Sequence, residues 1–197
     1  MNIPDFVHGP LAWRSRHGGG RGQALARACG VKRRIALPKI LDCTAGLGRD
    51  AFLLAALGCE VLSLERNCEV HAALVQALAR AQEDGATRDV IGNRLQFVLG
   101  DALELLPDLV SQIRPDVLYL DPMHPPRGKS ALTRLPLREL RSLVGEDADS
   151  PELLALACQQ EVARVVVKRP AGAEPLWGKP TAQIPGRTTQ FDLYFSG

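Results

Sequence analysis

From residue 39 onward, short apolar runs alternate with stretches whose apolar positions recur at the spacing of a helix face. The runs predict strands at Lys39–Cys43, Glu60–Glu65, Leu95–Leu99, Asp116–Asp121 and Arg164–Lys168. The stretches between and after them predict helices at Arg49–Leu57, Glu69–Glu83, Leu103–Gln112, Leu135–Val144 and Glu152–Gln159. Strands that alternate with helices are typical of βαβ units, so the pattern predicts an α/β fold in which a parallel sheet carries helices on both faces.

Both ends of the chain depart from this alternation. Near the C-terminus, Thr181–Ile184 and Gln190–Phe195 are joined through a Pro-Gly turn without a helix, which predicts a hairpin at one edge of the sheet. Residues 1–38 are rich in glycine and arginine and contain one short predicted helix, Gln23–Cys29. The sequence therefore predicts an N-terminal segment of residues 1–38, followed by a folded domain of residues 39–197.

Length and composition fit one domain in a reducing compartment. The chain has 197 residues, 46% of them hydrophobic and 23% charged, which is enough to bury a core and too apolar for global disorder. Its longest apolar run, Ala51–Leu57, is far shorter than the roughly 20 residues that span a bilayer. The first residues lack the basic start and apolar stretch of a secretory signal, and the five cysteines form no C-x-x-C pair. We therefore expect a cytoplasmic protein with free thiols.

Charge is distributed unevenly along the chain, although the net charge is only +2. Residues 1–39 contain eight basic residues (Lys or Arg) and one acidic residue, and residues 127–141 contain five basic residues and one acidic residue. Residues 40–126, in contrast, contain six basic and thirteen acidic residues. Most of these basic residues are arginines, which bind phosphate groups bidentately. Two basic segments beside an acidic middle indicate a polyanion bound next to a small-ligand site, and a merely solvated basic surface is the alternative.

The end of the first predicted strand carries a glycine-rich turn that suits a nucleotide-like ligand. Gly46, Gly48 and Ala51 fit G-x-G-x-x-A between a strand and a helix, where glycines let the backbone approach a ligand over the helix N-terminus. Glu65 closes the second predicted strand, where a carboxylate can accept from both ribose hydroxyls. Asp101 follows the third strand, in a position to accept from an adenine amino group. NAD and S-adenosylmethionine both present an adenosine, so these residues leave both ligands open.

An acid, a proline and a planar ring follow the fourth predicted strand as Asp121, Pro122 and His124. Open α/β sheets bind ligands at this carboxyl edge. The amine of a nucleobase is a poor nucleophile because its lone pair is delocalised into the ring. Hydrogen bonds from the amine to the Asp121 carboxylate and the Pro122 carbonyl would favour a pyramidal nitrogen, and the His124 ring would stack on the base. These residues are the candidate catalytic group, and an Asp-Pro turn that only ends the strand is the alternative.

Eight motifs spread over nearly the whole chain carry a resemblance to a known family. They occupy residues 18–22, 42–52, 64–67, 119–123, 129–132, 142–145, 165–170 and 191–192. On these motifs the chain resembles the bacterial ribosomal RNA small subunit methyltransferase J family, which transfers a methyl group from S-adenosylmethionine to a guanine 2-amino group in 16S ribosomal RNA. The resemblance implies a seven-stranded Rossmann-like methyltransferase sheet in the order 3-2-1-4-5-7-6, with the last strand antiparallel.

The resemblance also implies roles for individual residues. The implied cofactor contacts are Arg49, Asp50, Glu65, Arg66, Asp101, Ala102 and Asp121. Asp42 is expected under the methionine end of the cofactor or as a support of the glycine-rich loop. The family usually has Phe at the position of His124. Its members also carry several dozen residues before the segment that begins here, and this difference is expected to affect RNA docking more than chemistry.

The basic segments around these motifs are the expected RNA contacts. We expect phosphates on either side of the target base to be bound by Arg14, Arg16, Arg21, Arg127, Lys129 and Arg134. The expected partner is 16S ribosomal RNA or the small ribosomal subunit, with no metal and no membrane. Two alternatives stay open: a NAD(P)-linked oxidoreductase, in which Asp121 and His124 have no role, and a catalytically silent RNA-binding module, which has no need of the glycine-rich loop.

Overall fold

A computed structural model describes residues 4–17, 20–31, 36–122, 149–186 and 188–195. Its strands are β1 (Lys39–Asp42), β2 (Glu60–Glu65), β3 (Leu95–Leu99), β4 (Val117–Leu120), β5 (Arg164–Pro170), β6 (Ala182–Ile184) and β7 (Thr189–Tyr194). Within the described residues these strands form one seven-stranded sheet in the order β3-β2-β1-β4-β5-β7-β6. Neighbouring strands from β3 to β5 pair in parallel, whereas β7 is antiparallel to both β5 and β6. The predicted strand order and the antiparallel last strand are confirmed.

The described helices are α1 (Gly9–His17), α2 (Ala24–Ala28), α3 (Arg49–Ala56), α4 (Cys68–Glu83), α5 (Gly85–Ile91), α6 (Ala102–Ile113) and α7 (Ser150–Cys158), with a 3-10 turn at Gly20–Gly22. Five of these helices match predicted ones to within two residues at each end. Helices α1 and α5 were not expected from the sequence, and the helix predicted at Leu135–Val144 lies outside the described residues. None of the helices in the described ranges is long and apolar enough to cross a bilayer.

Two apolar layers cover the two faces of the sheet. Helices α3 and α4 pack on one face, and α6 and α7 pack on the other. Successive strand residues alternate between the layers, so Ile40 lies in the first layer and Leu41 in the second. This burial on both faces explains why the parallel strands are continuous apolar runs in the sequence.

The described residues before β1 contribute to the first of these layers. Phe6 is buried and its ring stacks on the ring of Phe52 in α3, with centroids 4.8 Å apart and planes inclined by 4°. Leu25 and Cys29 are buried in the same layer. The N-terminal segment therefore covers apolar surface of the sheet domain, and a division of the chain at residue 38 stays a prediction.

Parallel pairing brings the ends of four strands to one edge of the sheet. Asp42, the last residue of β1, is in register with Ser63 of β2 and with Tyr119 of β4. On the other side of β4, Leu120 is in register with Val167 of β5. The residues that end or follow these strands therefore lie close together, and they include most of the candidate site.

Candidate active site

Two cavities open at this carboxyl edge, and both are lined by Thr44, Gly46 and Asp121. Cavity A is lined in addition by Glu65, Arg66, Asp101, Ala102 and Asp149, among others. Cavity B is lined in addition by Arg14, Asp42, Arg49, Asp50, Tyr119, Pro122 and Lys168, among others. The sheet edge thus offers two adjoining binding spaces with Asp121 at their boundary.

The loop between β1 and α3 owes its shape to two glycines with different surroundings. Gly46 has a φ of +53°, a left-handed conformation that favours glycine, and it lines both cavities. Gly48 has a φ of +66°, and a Cβ there would lie 2.7 Å from Leu74 and 2.9 Å from Phe97. Of these two glycines, Gly46 lines the cavities, whereas Gly48 allows α3 to start close to packed side chains.

Glu65 ties the glycine-rich loop to the end of β2. Its side chain is buried, with Oε2 accepting from the Gly46 N–H at 3.0 Å and Oε1 accepting from the Asn67 N–H at 2.9 Å. Glu65 also lines cavity A, where a carboxylate can accept from the hydroxyls of a ribose diol. The position fits the predicted cofactor contact and gives Glu65 a second task in holding the loop.

Charged residues at the start of α6 and α7 form the rim of cavity A. Asp101 caps α6 by accepting from the Leu103 N–H at 2.9 Å. The Arg66 Nη1 atom lies 2.5 Å from the Asp149 carboxylate and 3.9 Å from that of Asp101. Arg66 therefore links the two acids across the rim, and Ala102 follows Asp101 on the cavity wall.

Asp42 lies beneath the loop and lines cavity B. It is buried, its Oδ2 accepts from the Ser63 hydroxyl at 2.7 Å, and its Oδ1 accepts from the Thr44 N–H at 3.0 Å. Burial raises the pKa of Asp42 to about 7, although both hydrogen bonds lower it. These contacts favour the loop-supporting role that was one of the two expectations for this residue.

The wall of cavity B contains a lysine between two acids. The Lys168 Nζ atom lies 2.7 Å from Asp50 Oδ2 and 2.5 Å from Asp121 Oδ2. The Tyr119 hydroxyl donates to Asp50 Oδ2 at 2.7 Å, and the Asp121 N–H donates to Thr44 Oγ1 at 2.6 Å. Burial would raise the pKa of Asp50, but the Lys168 charge outweighs it and the pKa lies below its usual value. Asp50 and Asp121 are therefore joined through one ammonium group.

Sequence reasoning found most of the acids at this edge but neither Lys168 nor Tyr119. The sequence places Tyr119 in a predicted strand and in the motif at residues 119–123, and it places Lys168 at the end of an apolar run and in the motif at residues 165–170, without a functional role for either. The available signal was positional: the predicted strands Asp116–Asp121 and Arg164–Lys168 end in an aspartate and a lysine, and neighbouring parallel strands bring such ends together. In the ranges that the structure describes, no group of three His, Cys, Asp or Glu side chains is arranged to hold a metal ion.

The predicted RNA contacts are only partly described. Arg14 lines cavity B and donates from Nε to Gln23 Oε1 at 3.1 Å. Arg16 lies on α1, and Arg21 lies in the 3-10 turn. The remaining predicted residues, His124, Arg127, Lys129 and Arg134, lie outside the described residues.

The sheet order, the glycine-rich loop and the acid at the end of β2 define the Rossmann-like methyltransferases that use S-adenosylmethionine. The sequence matches the family described as "Putative SAM-dependent methyltransferase" over residues 2–196. A solved SAM-dependent methyltransferase from Neisseria gonorrhoeae is similar to this chain with a TM-score of 0.75 and 35% sequence identity. The similarity covers 98% of this chain and 74% of that chain.

Curated relatives identify the branch of this class. A ribosomal RNA small subunit methyltransferase J from Brucella anthropi is 47% identical over 194 residues, which are 98% of this chain and 92% of the relative. Its counterpart from Thioalkalivibrio sulfidiphilus is 50% identical over 194 residues, which are 98% of this chain and 75% of the relative. The chain therefore belongs to the ribosomal RNA small subunit methyltransferase J family. The predicted family and cofactor are confirmed, and the oxidoreductase alternative finds no support.

Proposed function

We propose that this protein transfers a methyl group from S-adenosylmethionine to the 2-amino group of a guanine in 16S ribosomal RNA. The observation that carries the proposal is the meeting of cavities A and B at Asp121, an acid that follows a central strand. Cavity A fits an adenosine, because a buried carboxylate closes β2 and a backbone loop with a left-handed glycine lies beside it. Cavity B then accommodates the base. A substrate in the small ribosomal subunit would place the enzyme in the cytoplasm.

The chain's own residues would act by positioning the amine. When bound, S-adenosylmethionine supplies a methyl group on a sulfonium, and the transfer forms an N–C bond while the C–S bond breaks with its electron pair left on sulfur. The Asp121 carboxylate and the Pro122 carbonyl would accept hydrogen bonds from the amine and hold its lone pair toward cavity A. The extra proton of the methylated amine leaves to water.

The surface next to cavity B has the character of a site for unpaired nucleotides. The Trp13 side chain on α1 is 62% exposed, and its ring stacks on that of His17 with centroids 5.3 Å apart. Arg14, its neighbour in the chain, reaches the lining of cavity B. Exposed aromatic rings beside arginine are typical of surfaces that stack single-stranded bases and contact phosphates. This surface supports RNA as the substrate.

Removing two arginine charges from the described N-terminal residues should reduce the salt dependence of RNA binding. A double variant, Arg14→Gln with Arg21→Gln, would lose two phosphate contacts if both arginines bind RNA as proposed. Each lost contact lowers the slope of log affinity against log salt by roughly 0.7–0.9, so the slope should fall by about 1.5. Fluorescence anisotropy with a labelled 16S fragment at several salt concentrations measures this slope.

A matched control for this prediction uses two arginines at the opposite end of the strands, away from the carboxyl edge. Arg88 and Arg114 are exposed and precede β3 and β4, so they lie toward the amino ends of the strands. Replacing both with Gln removes the same charge but should leave the slope unchanged. Equal slopes for the two double variants would mean that Arg14 and Arg21 contribute only to the overall charge.

The proposed reaction is tested directly by methyl transfer. Wild-type protein, labelled S-adenosylmethionine and a 16S fragment should yield N2-methylguanosine on nucleoside analysis. The same fragment with inosine in place of guanosine lacks the 2-amino group and should accept no label. Label in another nucleoside, or equal labelling of the inosine fragment, would contradict the proposed acceptor, and RNA binding without any transfer would favour the silent binding module.

A further inference from the structure

Lys168 lies in β5, and its side chain contacts Asp121. Leu120 of β4 is in register with Val167 of β5, so the residues that follow this pair, Asp121 and Lys168, come side by side at the carboxyl end of β4. The contact between these two residues is therefore built into the register of the sheet. Lys168 also reaches Asp50, which is 118 residues away in the sequence and lies in the first turn of α3.

Asp50, Lys168 and Asp121 form a cluster on the wall of cavity B, and their side chains are exposed to different degrees. The side chain of Asp50 is 14% exposed, that of Lys168 is 26% exposed, and that of Asp121 is 36% exposed. The most buried acid is also held by the Tyr119 hydroxyl. The ammonium group thus connects a fixed, inner carboxylate to the outer carboxylate that borders both cavities.

We propose that Lys168 is a positioning residue for methyl transfer, whose ammonium group fixes the Asp121 carboxylate in place and in its ionised form against the accepting amine. This proposal rests on the proposed function, because it assigns the amine as the partner of Asp121. The Thr44 hydroxyl holds the backbone of Asp121 and Lys168 holds its side chain, so both ends of the residue are fixed. A group held in this way loses little freedom when the transition state forms.

Lys168 acts here through its charge and not as a base. Burial lowers the pKa of Lys168, but the charges of Asp121 and Asp50 outweigh burial and raise the pKa above its ordinary value. The side chain therefore stays protonated at neutral pH and has no capacity to take a proton from the methylated amine. Its contribution is a permanent positive charge between two acids.

Removing that charge has a defined electrostatic consequence. Asp50 and Asp121 contact the same nitrogen, so without Lys168 two carboxylates would face each other within about 5 Å. Two acids at this distance repel, and one of them then binds a proton at a pH higher by about one unit or more. The other charged or titratable groups that line cavity B are Arg14, Asp42, Arg49, Tyr119 and Arg169. They are the same in every variant compared, so a difference between variants reports on Lys168.

The test compares Lys168→Met and Lys168→Arg with wild type and with Lys179→Met, a control at an exposed loop lysine. Single-turnover methylation of a 16S fragment is followed from pH 5.5 to 9 at saturating cofactor and RNA. Lys168→Met should be about tenfold slower at high pH, since a small misplacement of a reacting group slows a reaction by up to roughly a hundredfold. Its rate should fall further as the pH decreases, with a midpoint above that of wild type. Lys168→Arg and Lys179→Met should keep the wild-type pH profile.

A measurement without RNA separates this proposal from the proposed function. Carboxyl ¹³C shifts of labelled aspartates, assigned with Asp50→Asn and Asp121→Asn, should show one acid of the pair titrating at higher pH in Lys168→Met than in wild type. Unchanged titrations, or a loss of rate that is equal at every pH and is not rescued by Arg, would overturn the positioning role. If wild type transfers no methyl group to guanine, the proposed function fails, and the carboxyl titrations still decide the role of Lys168.

Discussion

Replacing Asp121 with alanine is expected to slow methyl transfer by about 10²- to 10³-fold, the effect of losing one strong preorganised electrostatic contact. The reason is that Asp121 lies at the boundary of the two cavities, where its carboxylate would meet the amine that becomes positively charged in the transition state. Removing a contact that strengthens in the transition state lowers the rate of methyl transfer but has a smaller effect on ground-state binding. Single-turnover rates, with cofactor affinity from calorimetry, separate the two effects.

Two further variants complete this test. Asp121→Asn keeps an acceptor oxygen but loses the charge that faces Lys168, so its rate should fall between those of wild type and the alanine variant. Asp116 precedes β4 at the opposite edge of the sheet, where its carboxylate accepts from the Lys39 N–H at 2.8 Å. Asp116→Ala should retain the wild-type rate. If Asp121→Ala weakens cofactor binding but leaves the single-turnover rate at saturating cofactor unchanged, Asp121 binds the cofactor and does not position the amine.

The sheet could be predicted closely because its physical signal is strong and local. Strands buried on both faces appear as continuous apolar runs, and glycine, proline and acidic residues mark their ends. The strand order came from the family resemblance, because apolar runs indicate which residues form strands but not which strands are neighbours. The same signals placed five helices, whose apolar positions face the sheet.

Helices α1 and α5 could not be predicted because neither has a periodic pattern of apolar residues. Among its described side chains, α1 buries only Ala12 and exposes Trp13, so there is no apolar stripe to recognise. Helix α5 begins with glycine and is only seven residues long, too short for a periodic pattern. The one available signal was Asp84, whose side chain caps α5 by accepting from the Thr87 N–H at 2.8 Å.

The candidate site was predictable in part for a similar reason. Asp42, Glu65 and Asp121 each end or follow a parallel strand, and such residues converge at one edge whatever the details of packing. The bridge from Asp50 through Lys168 to Asp121 depends on the register of β4 against β5 and on where α3 begins. No local pattern in the sequence encodes the register of two strands or the position of a helix start relative to them. For this reason the acids were found, but the cation that organises them was not.

Glu65→Ala is expected to weaken cofactor binding by about 1.5–3 kcal/mol, the usual contribution of hydrogen bonds to a charged group. This corresponds to roughly a 10- to 150-fold rise in the dissociation constant. The physical reason is that Glu65 would accept from both ribose hydroxyls in cavity A while it holds the Gly46 and Asn67 N–H groups. Calorimetry with S-adenosylmethionine and S-adenosylhomocysteine measures the change.

A loss of affinity in Glu65→Ala has two possible sources, because the same side chain also supports the glycine-rich loop. A 2′,3′-dideoxy analogue of S-adenosylhomocysteine separates them. If Glu65 binds the diol, removing the hydroxyls weakens binding to wild type strongly and to Glu65→Ala hardly at all, because the two changes delete the same contact. If Glu65 acts only on the loop, the analogue loses the same affinity in both proteins. That second result would remove Glu65 from the cofactor contacts and leave it as the anchor that connects β2 to Gly46.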